Sequence, residues 1–137
     1  MKKINLIIYI TACMIMFSSC DHFSKGYNTY FWTSSNTGHV YHLYIDDKDR
    51  GELPYLKEAP FCSDNSSKHQ ALYLPLPSGS YDVEVKDEAG NVKYAERLFF
   101  KRTAGSTTIS ATTNWKGVGA RGTSHDDCLI REIYLIE

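Results

Sequence analysis

Along most of this chain apolar and polar side chains alternate one by one, the period of two that belongs to strands with one dry and one wet face. Tyr41, Leu43 and Ile45 fall on one side, and His42, Tyr44 and Asp46 on the other. Leu72, Leu74 and Leu76 alternate with Tyr73 and Pro75. The clearest run sets Tyr81, Val83 and Val85 against Asp82, Glu84 and Lys86, which predicts a half-buried antiparallel strand. Val92, Tyr94, Leu98 and Phe100 carry the pattern through residues 91–100. Thr107, Ile109 and Ala111 follow, and the run from Leu129 to Ile136 comes last. Beyond the N-terminal leader no segment keeps a helical period.

Turn-forming residues punctuate these runs. Asp47-Lys48-Asp49-Arg50-Gly51 reads as the close of the first, and Pro77-Ser78-Gly79 precedes the central strand. Glu88-Ala89-Gly90-Asn91 reads as a hairpin loop. Pro60 to Lys68 is polar and reads as an exposed loop or insertion; Asn114 to Asp127 reads as a Gly/Ser/Asp-rich loop before the final strand. Short strands with regular turns predict an all-β fold, a small antiparallel β-sandwich of about seven strands. It is expected to occupy residues 38–137, behind a Ser/Asn/Thr/Gly-rich tether over 20–37 that enters near Tyr30-Phe31-Trp32.

Tyr44-Ile45-Asp46-Asp47, Gly51-Glu52-Leu53-Pro54, and Leu76 to Val85 with its Gly79-Ser80-Tyr81 step together resemble a PEGA-type domain. Such domains are similar to other prealbumin-like sandwiches. The resemblance covers residues 40–112. It implies a non-catalytic role in surface display, binding or envelope attachment, and it hands on no catalytic residues. The insertion around Cys62 and the strand after Cys128 depart from it.

The N-terminus has a different grammar. Lys2 and Lys3 precede an apolar run from Ile4 to Phe17, then Ser18, Ser19 and Cys20. The run is about fourteen residues, short of the roughly 20 a spanning helix needs. A basic start, a short apolar stretch and small residues before a cysteine have the order of a signal peptide. The segment resembles the leader of bacterial lipoproteins, with Phe17 where the lipobox usually has Leu. That resemblance implies cleavage of residues 1–19 and acylation of Cys20 with palmitate-type chains. Two or three such chains anchor a protein durably where one does not. The implied address is the cell envelope, with the outer membrane, a periplasmic face and a surface face all open. Asp21, the sorting position, leaves them open too.

The formal charge of the whole chain is −1, and losing Lys2 and Lys3 makes the mature chain more acidic. No basic stripe suits nucleic acid. Gly117-Val118-Gly119-Ala120-Arg121-Gly122 spells G-x-G-x-x-G, but Thr112-Thr113-Asn114 leads in and Thr123-Ser124-His125 leads out, so no strand-to-helix turn is there to hold a nucleotide. Asp46, Asp47, Asp49 and Glu52 crowd one turn, yet a calcium loop begun at Asp47 puts Gly51 where an oxygen ligand belongs. The five histidines make no ligand set, and His125-Asp126-Asp127 stands as a loop cluster. A G-x-S-x-G elbow is missing. Neither an enzyme nor a cofactor is expected, because no complete set of nucleophile, base and orienting group can be named.

Cys62 and Cys128 remain after Cys13 goes with the leader and Cys20 with the lipid. In an exported protein they are a candidate disulfide, worth about 4 kcal/mol for so long a loop; two buried thiols are the alternative. Among ten Tyr, six Phe and two Trp, the binding candidates are Tyr30, Trp32 and Trp115, set against ordinary strand packing. The expected function is a lipid-anchored binding or structural module for an envelope protein or a glycan. The alternative is an immunity or inhibitor lipoprotein that blocks an incoming enzyme.

Overall fold

A computed structural model describes residues 26–103, 106–113 and 119–135. The strands are β1 (Tyr27–Thr33), β2 (Tyr41–Ile45), β3 (Lys48–Glu52), β4 (Leu72–Leu76), β5 (Gly79–Asp87), β6 (Val92–Thr103), β7 (Ser106–Thr113), β8 (Gly119–His125) and β9 (Cys128–Tyr134). A single-turn helix, α1 (Asn65–Lys68), lies between β3 and β4. Two sheets form the sandwich, one in the order β4-β1-β9-β8 and the other in the order β3-β2-β5-β6-β7. The all-β sandwich expected from the alternation is therefore the fold, with nine strands among the described residues.

Three strands lie where none was expected. β1 sits inside the segment read as a tether, between β4 on one side and β9, its parallel partner, on the other. The sandwich thus takes in Tyr27–Thr33, upstream of residue 38. β3 occupies the segment read as a turn. The reversal is at Asp46 and Asp47 instead, with φ of 50° and 62°, the left-handed pair of a two-residue hairpin turn. β8 occupies the second half of the expected Gly/Ser loop and pairs with β9 from Gly119 to His125.

The main core lies between the sheets. Tyr27, Phe31, Leu129 and Ile133 of the smaller sheet meet Leu43, Ile45, Val83, Val85, Tyr94, Leu98 and Phe100 of the larger. The rings of Tyr27 and Phe100 touch across the gap with centroids 5.4 Å apart. Each fully buried side chain of this kind contributes roughly 1.5–3 kcal/mol of transfer free energy.

A second, smaller apolar cluster lies on the other side of the smaller sheet. Trp32, Ala71, Cys128 and Ile130 are buried there, with Tyr30, Leu56 and Cys62 packed against them. The segment from Leu53 to Ala71 covers this outer face. It is pinned at one end by Thr33, whose amide donates to the Pro54 carbonyl at 2.9 Å and whose carbonyl accepts from the Leu56 amide at 3.0 Å. At α1 the Asp64 carboxylate accepts from the amides of Ser66 and Ser67 at 3.0 and 3.3 Å, filling the orphan donors of the helix start. Cys62, in the cover, and Cys128, on β9, sit at disulfide distance with Cα atoms 5.9 Å apart.

Candidate functional site

Strand parity decides which side chains reach the outer face of the smaller sheet. On β1 the outward positions are Asn28, Tyr30 and Trp32, beside Cys128, Ile130 and Glu132 of β9. Tyr30 stands directly across from Tyr73 of β4. The cover lies over Trp32, and a cleft of about 430 Å³ opens where it meets Asn28 and Tyr30. Tyr30, Asn28, Phe61, Lys68, His125 and Asp127 are among its lining residues.

The rings of Tyr30 and Tyr73 lie 5.2 Å apart, tilted by 38°, a favourable offset for two aromatic quadrupoles. The Lys68 ammonium stands 5.7 Å from the Tyr30 ring centre, on its face. Asn28 ties the edge together. Its side-chain oxygen accepts from the Tyr73 hydroxyl at 2.8 Å, and its amide nitrogen donates to Asp127 at 3.2 Å. Its backbone amide donates to the Asp127 carbonyl at 2.7 Å. Burial, and behind it the neighbouring Tyr73 and Asp127, raises the Tyr30 phenol above its ordinary range. That phenol is therefore neutral and can both donate and accept. Its hydroxyl meets no hydrogen-bond partner among the described residues. At the rim, His125 Nδ1 and Asp126 Oδ2 are 3.0 Å apart and exposed.

The expected site residues fare differently. Tyr30 belongs to the cleft. Trp32 does not: it is only 3% exposed, within the second apolar cluster, so it packs rather than binds. Its indole nitrogen is buried with no partner among the described residues. Trp115 and Cys20 lie outside the described residues. The turn carboxylates serve the backbone: Asp46 accepts from the Asp82 amide at 2.9 Å, and Asp49 from Gly51 at 2.8 Å. The second half of the glycine motif runs into β8 and not into a helix. Tyr73, Lys68 and Asn28 were not expected. The alternation that set Tyr73 opposite Leu72 and Leu74 did place it outward, but the position of its partner Tyr30 is a fact of sheet order.

An ion pair lies inside the sandwich. Arg131 of β9 reaches the Glu96 carboxylate of β6, with Nε 3.1 Å from Oε1 and Nη2 in contact with Oε2. Their side chains are 8% and 0% exposed. Burial, and then the adjacent Glu96 charge, holds the Tyr94 phenol far above its ordinary range. This arrangement crosslinks the two sheets through a doubly bonded ion pair. Both side chains are buried, so its contribution is to the fold.

No helix among the described residues is long and apolar enough to cross a membrane. No group of three or more His, Cys, Asp or Glu side chains gathers as a metal site among them. No family model, no curated protein and no solved structure matches this chain.

Proposed function

We propose that this protein is an exported, lipid-anchored, non-catalytic envelope module that binds a partner, an envelope protein or a glycan, through the cleft at Tyr30. The observation that carries the binding role is the cleft itself. An outer sheet face is covered over Trp32 and opens beside Tyr30, which Tyr73 adjoins, with polar groups lining the opening. Anchoring is supported by the order of residues 2–20: two lysines, a short apolar run, and small residues before a cysteine. A PEGA-like character of residues 40–112 fits the same non-catalytic role.

The anchor and the cleft are close along the chain. From Cys20 to Asn28 the backbone reaches at most about 29 Å, at up to about 3.6 Å per residue. A ligand held at Asn28 is therefore held near the bilayer surface, so its source is membrane-proximal. Oxidation of Cys62 and Cys128 to a disulfide suits an exported protein and fixes the cover that bounds the cleft.

Metabolic labelling with an alkyne palmitate analogue tests the anchor. Wild-type chain takes up the label and sediments with membranes, and Cys20→Ala loses both. Unchanged labelling and fractionation in Cys20→Ala would overturn the lipoprotein reading.

A further inference from the structure

We infer that the cleft at Tyr30, with the exposed Tyr73 ring beside it, is a binding site for a neutral glycan, a reading that rests on the proposed binding role and names its ligand. Size is the first argument. About 430 Å³ lies within the range of small-molecule sites. Shape is the second. Tyr30, which lines the cleft, and Tyr73 beside it are direct neighbours across β1 and β4, and with Lys68 over Tyr30 the open ring of this apolar step is Tyr73. The C–H face of a pyranose ring is the flat, weakly apolar surface that packs on such a step.

Polar chemistry is the third argument. Around the step stand a phenol that both donates and accepts, an ammonium that donates and a carboxylate that accepts: Tyr30, Lys68 and Asp127. Asn28 spends its oxygen on Tyr73 and one amide hydrogen on Asp127, which leaves a second amide hydrogen to donate. Alternating donors and acceptors around an apolar floor match vicinal hydroxyls, each of which does both. Charge separates this ligand from others. Asp126 and Asp127 disfavour a polyanion, and Lys68 already holds the position over Tyr30 that a cationic ligand would need.

The test uses the mature full-length lipoprotein in detergent micelles. Cellotriose, maltotriose, mannotriose and chitotriose are titrated separately, with trigalacturonate as the anionic comparison. Binding is followed through amide shifts at Asn28 and Tyr73. At least one neutral trisaccharide is expected to bind saturably, and more tightly than trigalacturonate. Tyr73→Ala should weaken that sugar about tenfold. Tyr73→Phe, which keeps the ring and drops the bond to Asn28, should weaken it less. Phe99→Ala, at an exposed ring on the other sheet, should leave it unchanged. The same trisaccharide as a glycolipid headgroup in vesicles should compete with the free sugar, whichever source serves in the cell.

No saturable binding by any neutral trisaccharide, or equal binding by wild type and Tyr73→Ala, would overturn the glycan assignment. A parallel pull-down from solubilised envelope separates the two levels of the claim. An envelope protein retained by wild type and lost by Tyr73→Ala, with no sugar bound, removes the glycan and keeps the cleft as the binding surface. Loss of neither removes both.

Discussion

The outer faces of the two sheets start from similar strands and end unlike. On the five-stranded sheet the outward side chains satisfy one another: Asp82 with Arg97 at 2.8 Å, Glu84 with Lys86 at 2.9 Å, His42 with Asp49 at 3.0 Å. Lys86 also stands 4.4 Å from the centre of the Tyr44 ring. That face stays wet and needs no cover. On the four-stranded sheet the outward positions include Trp32, Ile130 and Cys128, which water solvates poorly, and the Leu53–Ala71 segment folds over them. Where the cover meets Tyr30, a cleft is left. The proposed binding site lies at this margin between dry and wet surface.

The strongest way to break this comparison uses two arginine–carboxylate pairs that begin on neighbouring residues of β6. Glu96 points inward to Arg131, and Arg97 points outward to Asp82. Their geometry is alike and their surroundings are opposite, 8% and 0% exposed against 67% and 59%. Arg131→Ala leaves a buried carboxylate without its partner and should cost about 3–5 kcal/mol, read from the urea midpoint at constant slope. Asp82→Ala should leave the midpoint nearly where it was, because the freed guanidinium returns to water. The double replacement Glu96→Leu with Arg131→Met should recover most of the loss, since apolar packing can replace a buried pair. Equal losses from the two single variants would mean that burial does not separate the two faces.

Much of this layout was legible in the residues, and the failures share a cause. β5 was plain because Tyr81, Val83 and Val85 face the core while Asp82, Glu84 and Lys86 face water. β1 was not, because the cover buries its outward Trp32 while its inward face holds Thr29 and Thr33, so both faces mix polar and apolar residues. β9 is buried on both faces for the same reason. Glu96 falls on the core parity of β6 but is polar, and its justification, Arg131, is 35 residues away. β3 and β8 are edge strands with little to bury, so their composition resembles turns. Within the cleft, Tyr30 stood out as an aromatic. The choice between Tyr30 and Trp32 depended on where the 53–71 segment settles, which no local pattern encodes.

The cover itself is the next point of attack. Replacing both Cys62 and Cys128 with Ser releases the crosslink across a sequence separation of 66 residues. By chain entropy this should cost about 4 kcal/mol, and less if the reduced chain stays compact. The loss should be local as well as global. Amide exchange at Leu56 and Ala71 should rise more than exchange at Val83 or Val85 in the larger sheet. Alkylation of the unreduced wild-type chain should label neither cysteine; labelling of both would remove the crosslink from the account.

The smallest expected effect is also the most selective, because it loosens the cover without touching the core. The Ser66 amide, and then the Ser67 hydroxyl and amide, hold the Asp64 carboxyl below its ordinary range. A carboxyl whose folded pKa is depressed stabilises the fold above its unfolded value and loses that contribution as pH falls through the folded one. The relevant window therefore lies below about 3.9. Protease cleavage within residues 63–68 should be slow at neutral pH and accelerate below that window. Asp64→Asn keeps a capping oxygen without a titrating charge, so it should stay protected and lose the acid dependence. Asp64→Ala should be cleaved quickly at every pH. None of the three proteins should differ in exchange at Val83 or Val85, and a change there would show that the cover and the wet-faced sheet open together and are not independently held.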